Sequence, residues 1–163
     1  MTEVNSNRAS NRVMRWWSTC GKLPAGRYLF SVALGLFIPY TRTIGARVVE
    51  LQPGYARIEL ADRRRVRNHL NSIHAIALAN IGELTTGLAV FSSTSEEMRG
   101  ILTSIRVDYA KKARGKLVSH AEYRLPETIT DDVPCEVEAL IRDGTGDTVA
   151  AVRATWLIGY RRS

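Results

Sequence analysis

Residues Ser72 to Ser93 form a run of small and large apolar side chains in which no face is polar, and this run constrains everything around it. It is too long for a strand, and a helix apolar all round has to be enclosed. Ser72 or Asn71 stands where a side-chain oxygen can cap such a helix. The flanking segments supply the enclosure. Ile44 to Gln52, the turn Pro53-Gly54 and Tyr55 to Asp62 read as a hairpin, with Ala56, Ile58 and Leu60 alternating against Arg57 and Glu59. After the apolar run three more stretches alternate: Ile105, Val107 and Tyr109; Leu117, Ala121 and Tyr123; and Cys135, Val137, Ala139 and Ile141. A last strand, Thr148 to Tyr160, follows the turn signal Asp143-Gly144-Thr145-Gly146. Four sequential strands on short connections predict an antiparallel meander curling around one buried helix, an α+β architecture.

A chain of 163 residues allows one globular unit, read as an N-terminal helical extension over 1–42 and a wrapped-sheet domain over 43–163. In the extension, Tyr28 to Ile38 is apolar. It starts late, contains Gly35, and ends at Pro39-Tyr40-Thr41 without a small-x-small cleavage site, which argues against an export signal. It is also shorter than the roughly 20 apolar residues of a membrane span, so no stable membrane insertion is predicted. One helix packed on the domain is expected, opened by Pro24 and stopped by Pro39. Trp16 and Trp17, on the basic segment before it, are expected to pack on the domain, with contact to a membrane surface or an organelle address as the alternatives. Cys20 and Cys135 are far apart and form no ligand-spaced motif, so two reduced thiols and a cytoplasmic location are predicted.

The 23 Lys and Arg against 16 Asp and Glu leave a net charge of +7, which favours an anionic partner. The basic residues collect in an N-terminal scatter (Arg8, Arg12, Arg15, Lys22, Arg27), a run at Arg63, Arg64, Arg65 and Arg67, a second at Lys111, Lys112, Arg114 and Lys116, and the tail Arg161 and Arg162. No recognition helix, zinc finger or aromatic RNA-binding signature accompanies them, so nucleic acid is not predicted as a partner. Dinucleotide, P-loop and Gly-x-Ser-x-Gly motifs are absent as well.

Between Ser72 and Ser95, Glu83 is the only acid and His74 the only other ionisable side chain. A carboxylate inside an apolar helix is paired, faces a polar cavity, or is raised in pKa. Asn80, Glu83 and Gly87 share one face at spacings of three and four, which gives the acid a polar neighbour on one side and open space on the other. A solvent-facing sliver of helix is the plainer setting for Glu83, and capping or turn duty the plainer role for His74 and Asn68. His69, His74 and Glu83 form no compact ligand set, so no metal is predicted.

Asn68, His74 six residues on, and Glu83 nine after that resemble the motif of the hotdog-fold thioesterases of the phenylacetate-pathway and 4-hydroxybenzoyl-CoA type: Asn, a spacer, His-Gly-Gly, then an acid. The turn Tyr109-Ala-Lys-Lys-Ala-Arg-Gly115 is similar to the family's Tyr-x-x-Pro-Ala-x-x-Gly, and the likeness runs from about Ile44 to Tyr160. Two departures stand out: the family's paired glycines are Ala75 and Ile76 here, and its aspartate is a glutamate. The Ala75 backbone N–H survives the change, and the added side chains narrow the approach to it.

The resemblance implies a hotdog fold with an extra N-terminal helix over Val13 to Pro39, and an acyl-CoA thioesterase working as a homodimer or dimer of dimers. Coenzyme A would enter as part of the substrate, with no separate cofactor. Nine helical residues rise about 13.5 Å and turn about half a revolution, so His74 and Glu83 of one chain cannot meet. In the family a two-fold dimer brings the helix start of one subunit to the mid-helix acid of the other. Glu83 would then activate water or attack directly, with Asn68, His74 and the Ala75 N–H on the opposing side. Asn80 and Gly87 would contact substrate, and Lys111, Lys112 and Arg114 the coenzyme's phosphates. The alternative function is a non-catalytic acyl-CoA or lipid-binding hotdog protein; hydratase chemistry is weaker, since its usual His and Asp pairing is not evident.

Overall fold

The computed structural model describes residues 11–126, 128–129 and 131–161, so Arg8 and Arg162 of the basic clusters and the first ten residues of the extension lie outside it. The chain opens with three helices, α1 (Arg12–Gly21), α2 (Gly26–Phe37) and α3 (Pro39–Arg42). The helix expected after Pro24 is α2, but a second one precedes it. Pro24 lies in the turn between them, where Ala25 takes a left-handed φ of 58°, and is not in the first helical turn. Asn11 caps α1 by accepting the Met14 N–H at 2.9 Å. Trp17 meets Phe30 of α2 edge-on and Trp16 tilts onto Phe37, so both indoles join α1 to α2 as the packing expectation had it.

Strands β1 (Arg47–Gln52) and β2 (Tyr55–Leu60) form the predicted hairpin around Pro53-Gly54. A short 3-10 turn at Arg64–Val66 leads to α4 (Ala75–Ser93), the buried helix. Strands β3 (Met98–Tyr109), β4 (Leu117–Glu122), β5 (Val133–Arg142) and β6 (Thr148–Tyr160) follow. All six form one antiparallel sheet in the order β1-β2-β4-β5-β6-β3. Its concave face wraps α4, burying Leu78, Ile81, Leu88 and Val90 against Ile58, Leu117, Val137 and Val152. Two inward hydroxyls answer each other: Thr85 donates to Ser119 at 2.8 Å or to the Ile81 carbonyl at 2.6 Å.

The simple four-strand meander is corrected by this order. β4, β5 and β6 are sequential neighbours, but β3 lies at the far edge beyond β6, and β4 sits next to β2. The chain leaves α4 at the far side of the sheet, and the linker after Tyr109 then crosses the start of α4, where the Ala113 carbonyl accepts the Ile73 N–H at 2.8 Å. Because α4 covers β3 less than any other strand it packs against, Ile105 and Tyr109, expected inside, are exposed. α4 is the one helix among the described residues long and apolar enough to cross a membrane, and most of it is inside the sheet.

Close approach of α4 to β6 depends on Gly82. A Cβ there would stand 2.3 Å from Val152 Cγ2 and 2.5 Å from its Cβ, and a branched residue on a central strand has no free rotamer to yield. Gly82→Ala is expected to cost about 1–3 kcal/mol through overpacking, read as a lower midpoint in urea unfolding. An unchanged midpoint would show that α4 can move away from the sheet freely.

Candidate active site

The site begins in the loop that aims α4. Asn68 Oδ1 accepts the Leu70 N–H at 2.9 Å, the Ser72 N–H at 3.2 Å and the Ser72 hydroxyl at 3.1 Å, closing the turn from within. This consumes Ser72, so neither it nor Asn71, which sits at a φ of 53°, caps the helix as expected. His74 does: its Nδ1 accepts the Ile76 N–H at 3.1 Å from an extended backbone at φ −64°, ψ 140°. His74 is thus the structural element that starts α4, three residues later than the apolar run suggests.

At the first helical position, the Ala75 N–H has no acceptor among the described residues, while the Ala75 carbonyl accepts the Tyr109 hydroxyl at 3.1 Å. The first turn of α4 holds no acidic residue, so its partial positive charge is not neutralised from within the helix. Burial raises the Tyr109 phenol above its ordinary pKa. Sequence reasoning noted Tyr109 as an inward strand residue and as the first residue of a turn, and gave it no role at the helix. Its place at the helix start follows from β3 ending where the crossing linker begins.

Glu83 lies on the face of α4 turned away from the sheet, half-buried in line with Ala79 and exposed Ile76. Its carboxylate makes no hydrogen bond or ion pair among the described residues. Burial without a compensating charge raises its pKa above the usual carboxylate range. Asn80 beside it is 7% exposed, and its Oδ1 has no hydrogen-bond partner, a costly state unless something outside the chain supplies a donor. The open space expected at Gly87 is filled: ring carbons of Trp156 lie 3.0 and 3.1 Å from where a Cβ would stand. Trp156 is held there by its own N–H bond to Thr86 Oγ1 at 3.2 Å and by edge-on contact with Phe91.

The structure therefore brings Asn68, His74, Ala75 and Tyr109 together at the start of α4 and leaves Glu83 with Asn80 two turns away. Eight helical residues separate Ala75 from Glu83, about 12 Å of rise, so the two ends do not meet within one chain. The turn after β3 lies beside the helix start, but its cations differ. Lys111 is held by Asp143 at 2.8 Å and Asp147 at 2.6 Å instead of being free as expected, and Asp143 is driven below its ordinary pKa by that lysine first and by Thr145 second. Arg114 Nε reaches the Asn71 carbonyl at 3.4 Å, and Lys112 stands exposed without an ion pair among the described residues.

No curated protein sequence matches the chain. Among solved structures, it is similar to the crystal structure of a genomics target at 27% identity and a TM-score of 0.77, over 91% of this chain and 99% of that one. A Pseudomonas aeruginosa protein of unknown function, described as a probable thioesterase, is similar at 22% identity and a TM-score of 0.69, covering 85% of this chain and 97% of that one. A thioesterase family protein from Silicibacter pomeroyi gives 20% identity and 0.69, over 80% and 96%. These likenesses bear out the hotdog fold. The domain of unknown function DUF4442 matches residues 26–158, from the first turn of α2 almost to the end of β6, and the chain, a hotdog-fold protein, belongs to that family.

Proposed function

We propose that this protein is a thioesterase that hydrolyses the thioester of an acyl-CoA, with Glu83 of one subunit facing the α4 start of a second. The observation that carries this is the Glu83 carboxylate, half-buried on the uncovered face of α4 with no partner of its own. A desolvated, unpaired carboxylate is a stronger base than a solvated one and is available to a substrate. Two solved structures of the same fold carry thioesterase in their descriptions.

In this reading the thioester carbonyl lies against the partner's Ala75 N–H, whose helix-end charge stabilises the oxyanion that develops as the carbonyl carbon becomes tetrahedral. Ionised Glu83 takes a proton from water as the oxygen attacks, or attacks the carbonyl carbon itself, in which case water afterwards cleaves the mixed anhydride to release the acid and return the carboxylate. Collapse of the tetrahedral species breaks the C–S bond, and the thiolate leaves as coenzyme A after gaining a proton. Asn80 Oδ1, otherwise without a donor, would accept a hydrogen bond from the attacking water or the substrate amide. Asn68 and His74 shape the helix start and do not touch the reacting atoms in this scheme. Gly87, closed by Trp156, sets the floor of the acyl site.

Release of free thiol from short, long and aromatic acyl-CoAs by the purified chain tests the activity and its acyl preference together. Absence of release from every class, with binding retained, would favour a non-catalytic acyl-CoA-binding role. The coenzyme's phosphates are assigned to Lys112 and Arg114, since Lys111 is already paired. Reversing Lys112 and Arg114 to Glu should raise the KM for acyl-CoA several-fold and leave turnover of an acyl thioester lacking the nucleotide nearly unchanged. The difference should shrink as salt rises, because exposed charges are screened over about 8–10 Å near physiological ionic strength.

A further inference from the structure

The N-terminal helices carry an apolar surface that the fold leaves bare. Tyr28, Leu29, Val32 and Leu36 recur at spacings of three and four along α2, and all are exposed. Phe37 and Tyr40 continue the stripe at 68% and 66% exposure, and Trp16 of α1 leans on Phe37 with ring centroids 4.8 Å apart. Large aromatics this exposed are not core residues caught at an edge, because the opposite face of α2 already packs Phe30 into the interior.

The charge that this segment itself contributes has one sign. From Asn11 to Val49 the sequence holds Arg12, Arg15, Lys22, Arg27, Arg42 and Arg47 and no acidic residue. Arg15 and Arg47 pair with Glu96 and Glu59; the other four make no ion pair among the described residues. Beside the stripe opens a cavity of about 370 Å³, with Tyr28 and Val32 on one wall and Arg42, Arg63 and Arg65 on the other. None of these three guanidiniums has a carboxylate partner among the described residues, and that of Arg65 lies against Gly45, where the missing side chain leaves the room for it.

We propose that α1–α3 dock the protein on an anionic phospholipid bilayer, the exposed face of α2 entering the acyl boundary while Arg42, Arg63 and Arg65 take a lipid phosphate. Unpaired guanidiniums suit a phosphate oxygen pair, and the adjoining aromatic and aliphatic stripe suits the layer just beneath it. A free phosphorylated ligand would use the arginines and leave the stripe uncovered. A second copy of this chain would bring two net-basic faces together, which like-charge repulsion opposes. Twelve residues of helix span about 18 Å, so α2 lies in the interface and does not cross it.

Flotation of the full chain with vesicles of phosphatidylcholine alone, and of phosphatidylcholine mixed with phosphatidylglycerol, tests the proposal. The protein should float with the mixed vesicles only and be released progressively by salt. Arg63→Gln with Arg65→Gln should weaken the partition about 25-fold, at roughly fivefold per basic residue near an anionic surface. Leu36→Glu with Phe37→Glu should abolish it while circular dichroism stays that of the parent, since both side chains are mostly exposed and Phe37 gives up only its contact with Trp16. Equal partition into neutral and anionic vesicles, no partition into either, or parent-like flotation of both variants overturns the proposal. So does loss of a dimer in sedimentation by the Leu36 and Phe37 variant without any vesicle binding by the parent, which would give the face to a second copy. The salt series on the parent protein decides the electrostatic part without any variant.

Discussion

Glu83→Gln is expected to lower turnover of acyl-CoA by about 10²-fold or more, the usual scale for losing a general base, and at the same time to raise thermal stability at neutral pH. Both effects have one cause. Burial raises the Glu83 pKa in the folded chain above its unfolded value, so between those two values the folded state holds more protons than the unfolded one. Stability from this group is therefore full below the ordinary carboxylate range and is lost as pH rises through the raised folded value. Above that, an ionised, unpartnered carboxylate costs stability that a neutral amide of the same shape does not. The melting temperatures of parent and variant should converge at acidic pH and separate at neutral pH, with the variant higher. Turnover by the parent should rise with pH through the same titration, and that limb should vanish in the variant. Near-parent turnover by Glu83→Gln would remove Glu83 from the mechanism.

The second large effect concerns the helix start. Ala75 is the first residue of α4, where proline is tolerated because its missing N–H has no intrahelical partner, and His74 before it already has the extended backbone that proline demands of its predecessor. Ala75→Pro should thus fold, yet it deletes the one N–H assigned to the oxyanion, for an expected loss of about 10²–10³ in kcat. Because Ala75 and Glu83 lie too far apart along α4 to meet in one chain, each site of the proposed mechanism needs two subunits. β3 offers the edge for that assembly: it pairs only with β6, and Ile101, Ile105 and Tyr109 stand exposed along it. Sedimentation at micromolar concentration should show no monomer. Refolding Glu83→Gln together with Ala75→Pro should restore about a quarter of parent turnover, since half the dimers would be mixed and each would carry one intact site. No recovery from two variants inactive alone, or hydrolysis by a folded monomer, would end the shared-site mechanism.

The phosphate assignment shows where sequence reasoning stops. Lys111, Lys112 and Arg114 look equivalent in the chain, but Lys111 is drawn to Asp143 and Asp147, more than thirty residues later, because β3 and the β5–β6 turn lie side by side. Gly87 tells the same story: its missing side chain reads as open space, and Trp156 from β6 occupies it. Residue preferences offered Asn71, Ser72 and His74 alike as caps, and His74 took the role because Asn68 had already taken the Ser72 N–H and hydroxyl.

By itself the sequence determined the long helix without a polar face, the six strands with inward residues such as Ile58, Leu117 and Val137, and the lone acid at Glu83, because periodicity and composition are local properties that burial reads directly. It also located the hairpin turns, where Pro53-Gly54 and Asp143-Gly144 leave the backbone few alternatives. Only the tertiary structure decided which strands are neighbours, that β3 is an edge, and that an extra helix, α1, precedes α2 and is pinned to the end of α4 by Asn11. Strand order and ion-pair choice depend on contacts between residues far apart in the chain. A period of two says which face of a strand is apolar and carries no information about the strand beside it.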